Sequence, residues 1–104
     1  MMACMDLAEA EQLARTLMQQ HGLSWWDFRF NRAKRMLGLC IYKTKRIELS
    51  IHFVHANDEA AIKDTILHEI AHALAGQGAG HGPRWKIMCQ RVGATPERCD
   101  TKAA

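Results

Sequence analysis

Residues 57–85 read NDEAAIKDTILHEIAHALAGQGAGHGPRW, and this stretch decides the fold around it. Asn57 is a good N-cap, and Asp58 and Glu59 suit the positive end of a helix dipole. Ile62, Ile66, Ile70 and Leu74 recur at helical spacing, and Leu67 and Ala71 widen the stripe. The pattern predicts one helix from about Asn57 to Ala75. Within it, His68-Glu69-Ile70-Ala71-His72 sets two imidazoles four residues apart, one turn above each other on one face. Imidazoles so placed can ligate one zinc ion. Glu69 projects from the edge of that face, where it can take a proton from water polarised by the metal. The apolar stripe faces away from the histidines. The helix is therefore expected to pack its stripe on a core and aim His68 and His72 into a cleft. Ala61 and Thr65, small residues on the histidine side, leave room there.

A catalytic zinc needs a third protein ligand and an open position. His81 lies nine residues after His72, among Gly76, Gly78, Gly80 and Gly82. Glycines adopt positive φ readily and let the chain turn back sharply. His81 is the favoured third ligand, and Glu97 is the competing one. Pro83 is suited to a first helical position and opens a last helix that buries Trp85, Met88, Cys89 and Val92 and stops at Gly93. Trp85 is expected to buttress the His81 loop.

Upstream, Asp6 with Glu9 forms a capping-box pattern, followed by an amphipathic helix to His21. Three strands are expected at Trp26–Phe30, Met36–Tyr42 and Arg46–Ile51, because apolar residues alternate in each. The short polar connectors suggest hairpins, so the sheet is expected to be an antiparallel meander. The fold class is α+β. An N-terminal helix, a three-stranded sheet, the helix with the histidine pair and a C-terminal helix fill one domain, 1–104.

The chain has 104 residues, 48% apolar and 24% charged, which is ordinary globular composition and excludes a disordered or collagenous chain. It has no long apolar run, which excludes a membrane helix, and no secretory signal is expected, so the location is cytoplasm or nucleoid, or nucleus in a eukaryote. The cysteines at 4, 40, 89 and 99 form no Cys-x-x-Cys pair and read as reduced packing thiols.

Charge is uneven. Residues 28–47 hold Arg29, Arg32, Lys34, Arg35, Lys43, Lys45 and Arg46 with no acid, while the other seven basic and eleven acidic residues sum to −4. Two readings stand: a solvated face, or a patch for a polyanion such as DNA. Trp25 and Trp26 carry a similar pair of readings, core plus edge cap or a stacking platform for a base. His52 and His55 lie outside the ligand set. Tyr42 and His55 are the candidates for polarising a scissile carbonyl, and the 46–51 strand is the candidate for pairing with an extended substrate.

His68-Glu69-Ile70-Ala71-His72-Ala73 followed by Gly80-His81-Gly82-Pro83-x-Trp85 resembles the SprT-like metallopeptidase family, which includes the Spartan proteases. Ser24-Trp25-Trp26, Gly38-x-Cys40-x-Tyr42 and Ile47-Glu48-Leu49-Ser50 extend the likeness over about residues 24–93. The resemblance implies a minimal zincin-like domain, a zinc peptidase with His68, His72 and His81 as ligands and Glu69 as base. In Spartan-type members it implies cleavage of proteins crosslinked to DNA. The four-cysteine zinc ribbon that members often carry at the C-terminus is not expected here. Zinc is thus the expected cofactor, a protein or peptide the expected substrate, and DNA a candidate partner through 28–47, with no membrane. The alternative is a nucleic-acid-binding zinc domain with weak or no proteolysis.

Overall fold

A computed structural model describes residues 5–95. Helix α1 spans Leu7–Gln20, and Asp6 and Glu9 close a reciprocal capping box at its start. Strands β1 (Asp27–Asn31), β2 (Gly38–Ile41) and β3 (Arg46–Ser50) form one sheet. Three helices follow: α2 (Ile51–Ala56), α3 (Glu59–Ala75) and α4 (Pro83–Val92). The class is α+β.

The sheet is mixed rather than an antiparallel meander. Its order is β1-β3-β2: β1 runs parallel to β3, from Asp27 opposite Arg46 to Asn31 opposite Ser50, and β2 is antiparallel to β3. Only the second expected hairpin exists. The segment after β1 crosses the end of β3 instead of turning back, and three contacts pin it. Ala33 N–H donates to Asn31 Oδ1, Ser50 Oγ donates to the Ala33 carbonyl, and Ser50 N–H donates to the Leu37 carbonyl. β3 is therefore central and has no free edge for a substrate, contrary to the expectation for residues 46–51. The exposed edge beside the histidine-bearing helix belongs to β2.

The helix expected from about Asn57 to Ala75 is α3, and a short helix that the residue pattern did not announce, α2, precedes it. Ser50 ends β3 and caps α2, its hydroxyl accepting from the His52 and Phe53 N–H groups, and Asp58 rather than Asn57 caps α3. The core lies between the sheet and α1, α3 and α4, around Phe28, Ile47, Leu49, Ile62, Ile66, Ile70 and Trp85. α3 touches α1, β2, β3 and α4, so it is buried around most of its circumference. His68 and Glu69 are buried with the isoleucine stripe, where the helical pattern alone suggested an open face.

Candidate metal centre and peptide cleft

The glycine-rich segment after α3 adopts the geometry its composition implies. Gly76, Gly78 and Gly80 have φ of 97°, 95° and 55°, values that a residue with Cβ adopts only with strain. Two turns, Ala79 N–H to the Gly76 carbonyl and Gly82 N–H to the Ala79 carbonyl, fold the segment back. Arg84 closes its base by donating to the Ala75 carbonyl at 2.8 Å. His81 is thereby returned to α3, with its Nε2 3.2 Å from Nε2 of His72. Two nitrogens on a tetrahedral zinc, each about 2.0–2.1 Å from the ion, are roughly 3.3–3.4 Å apart. The spacing and the imidazole chemistry of this pair fit that ion.

His68 behaves differently. Its Nε2 meets the Thr95 carbonyl and lies 3.2 Å from the Thr95 hydroxyl. Asp64, one turn earlier on α3, accepts from both the N–H and the hydroxyl of Thr95 at 3.0 Å, which fixes the chain after α4 against His68. Among the described residues, no three His, Cys, Asp or Glu side chains are grouped closely enough to hold a metal ion. The competing ligand Glu97 lies outside the described residues, as do Cys4 and Cys99.

Trp85 packs beneath all three imidazoles. Its ring centroid is 5.5 Å from His68, 5.3 Å from His72 in a stacked arrangement, and 4.6 Å from His81 edge-on. Its indole N–H donates to the His68 carbonyl at 3.3 Å, so one buried side chain supports the whole histidine group.

A cleft of about 380 Å³ opens beside these residues, between β2 and α3. Glu69 and His72 form one wall, Leu39, Cys40 and Tyr42 the other, and the Gly78–Gly80 turn an end. Tyr42 donates its hydroxyl to the His72 carbonyl at 3.0 Å. Burial raises the Tyr42 phenol above its usual value, and the neighbouring Cys40 and Glu69 push in the same direction. Burial and then Glu69 push the Cys40 thiol up to about 12. Both groups are neutral near pH 7. His52 and His55 are exposed on α2, and neither lines this cleft.

The resemblance noted from the motifs is met over nearly the whole length. A match to the SprT-like family covers residues 4–103. The chain belongs to the SprT-like family. This membership associates it with zincin-like, generally zinc-dependent metallopeptidases. No curated protein and no solved structure matches the chain. No helix among the described residues is long and apolar enough to cross a membrane.

The basic residues of this SprT-like domain divide. Asp27 and Glu48, which border the acid-free stretch in sequence, come back as ion-pair partners: Arg29 and Arg46 both contact Asp27, and Arg46 contacts Glu48. Arg32, Lys34, Arg35, Lys43 and Lys45 make no ion pair among the described residues. The first three lie in the crossing segment and the last two in the β2–β3 turn, at opposite ends of β2. Lys45 stands over the Trp26 ring at 5.9 Å. Trp26 is buried and Trp25 is 68% exposed, the core-plus-edge arrangement.

Three features were not read from the residues: the Asp64–Thr95 anchor on His68, the place of Cys40 in the cleft wall, and the close packing of Gly38 on Glu69. Two carried a visible signal. Asp64 is four residues before His68 on one helix face, and Cys40 and Tyr42 alternate on one strand face.

Proposed function

We propose that this chain is a zinc-dependent peptidase that cleaves proteins bound or crosslinked to DNA. The observation that carries the reading is the approach of His72 Nε2 to His81 Nε2 at 3.2 Å, beside Glu69 in a cleft walled by an edge strand. His72 and His81, joined by His68, would hold the ion, which when bound supplies Lewis-acid polarisation of the scissile carbonyl and of water. Glu69 is 6% exposed, so its carboxylate works with little bulk water around it. It takes the proton of the attacking water and returns it to the leaving amine. The free edge of β2 offers backbone N–H and C=O groups to an extended substrate segment, and Leu39 and Met36 meet its side chains. Tyr42, neutral at pH 7, keeps its hydroxyl proton and braces the His72 turn through the His72 carbonyl.

The test is cleavage of an unstructured protein by zinc-loaded wild type and Glu69→Gln, with and without single-stranded DNA. The expected loss is about 10²–10⁴-fold, the worth of a general base, with zinc content and fold retained. Equal cleavage by both proteins would rule out Glu69 as the base.

The second reading, a nucleic-acid-binding zinc domain with weak or no proteolysis, is favoured by Arg32, Lys34, Arg35, Lys43 and Lys45, which make no ion pair among the described residues. Arg32, Lys34 and Arg35 changed together to Ser are expected to weaken DNA binding and flatten its salt dependence by about 0.7 per lost phosphate contact on single strands. Titrations at several salt concentrations read this directly. Absence of wild-type affinity at low salt makes the patch a solvated face and the enzyme a general or partner-directed peptidase. DNA binding without any cleavage by the zinc-loaded protein favours the second reading.

A further inference from the structure

Gly38 opens β2 opposite Leu49, and its φ is not positive, so its backbone conformation does not call for glycine. The neighbours do. A Cβ built at Gly38 would stand 3.1 Å from Glu69 Cγ, 3.1 Å from Thr65 Cγ2 and 3.4 Å from the Glu48 carbonyl oxygen. The first two distances are closer than ordinary carbon–carbon contact, near 3.5–4.0 Å. Thr65 and Glu69 are both buried, and they lie four residues apart on the α3 face turned toward β2. The Glu48 oxygen belongs to the sheet backbone and cannot give way. The missing methyl at Gly38 thus lets the strand backbone lie directly against the aliphatic part of Glu69.

We infer that Gly38 is a positioning residue for Glu69: the bare backbone at the start of β2 packs on Glu69 Cγ and sets where its carboxylate stands in the cleft. This rests on the reading of Glu69 as the base. The three atoms nearest a Cβ at Gly38 belong to Glu69, Thr65 and Glu48 and to no histidine, so its effect falls first on the base rather than on the metal donors. A methyl there moves Glu69 by a few tenths of an ångström. That shift is small for the fold and large for proton transfer, where a displacement of about 1 Å can cost 10²-fold.

The experiment compares wild type, Gly38→Ala, Thr65→Ser and the double variant, each zinc-loaded, for kcat, KM, zinc content and thermal midpoint, together with a crystal structure of Gly38→Ala. Gly38→Ala is expected to lower kcat about tenfold, with KM within about twofold and zinc content unchanged. The double variant, which removes Thr65 Cγ2 and gives the new methyl a place to go, is expected to recover most of that loss. An unchanged kcat overturns the inference, and so does an equal loss spread over KM and zinc content. If Gly38→Ala does not fold, the double variant is read against Thr65→Ser; equal kcat there, or failure of the double to fold, counts against it too. An inactive wild type matched by Glu69→Gln sinks the peptidase reading itself. The crystal structure still decides on Gly38 in that case: Glu69 Cγ displaced supports the inference, and Glu69 Cγ unmoved ends it.

Discussion

His72 and His68 sit one turn apart on the same helix, yet their rings have opposite engagements. His72 meets His81 across the glycine loop, whereas His68 is taken up by Thr95 and by Asp64, which holds Thr95 and lies 3.7 Å from the His68 ring itself. Helical spacing fixes where the two Cβ atoms stand. It does not fix where the ring nitrogens point, because that depends on what else packs against each ring. On the His72 side the neighbours are another imidazole and the backbone-bound Tyr42. On the His68 side a carbonyl and a hydroxyl are held in place by an aspartate. A metal on the His72 side would find two donors spaced for it, but it would gain His68 only in competition with Thr95.

The difference is sharpened first by removing each ligand in turn. His81→Ala is expected to weaken zinc binding by at least about 100-fold, the upper end of what losing even an outer partner costs. His68→Ala is expected to weaken it less, since part of the energy of its metal bond goes into leaving Thr95. Zinc titration against a competing chelator measures both, and equal losses would break the contrast. Full retention of zinc by His81→Ala would move the third ligand elsewhere.

A smaller effect is expected from Asp64→Ala. It removes two hydrogen bonds to Thr95, worth about 1–2 kcal/mol of stability together, readable in urea unfolding. Because the Thr95 anchor then loosens, His68 turns to a metal at lower cost, and zinc affinity is expected to rise by about fivefold. A fall in affinity would mean that the anchor prepares His68 for the metal.

The mildest test concerns the His72 side. Tyr42 is the one tyrosine of the chain, so its ionisation is read without overlap from another phenol in the ultraviolet. Its folded pKa is raised, by burial first, above the ordinary value of 10.0. The stability it contributes is therefore whole below pH 10.0 and is lost as pH climbs through the folded pKa, because the unfolded chain ionises first. The metal-free native protein should show delayed tyrosinate absorbance and unfold more readily as pH rises above 10.0. Tyr42→Phe should remove that component of the pH dependence. Tyrosinate forming at the ordinary pH would show that Tyr42 is not held as described.

Much of this was legible in the residues. The capping box at Asp6 and Glu9, the Gly93 stop and the return of His81 on positive-φ glycines follow from local chemistry, and local chemistry is written along the chain. The pairing of β1 with β3 was not. Alternation in Trp26–Phe30 reports that a strand has two faces and says nothing of its neighbour. The crossing is fixed by Ser50 reaching Ala33 and Leu37, contacts seventeen and thirteen residues apart in sequence. Helix α2 was hidden because Ser50 serves strand and helix at once. In the site, the residue types and their spacing were readable, while the direction of the His68 ring was set by Thr95, twenty-seven positions away.

Trp85 gives the histidine group an optical signature. Its indole lies in ring contact with all three imidazoles and is itself buried, so a change in any of them alters the surroundings of one emitter. Protonated imidazole quenches indole emission, and fixing the rings removes that freedom. With Trp25 and Trp26 replaced by Phe, the remaining fluorescence would follow the state of the three histidines in real time. Occupancy of the centre would then be visible in a protein that is cleaving nothing.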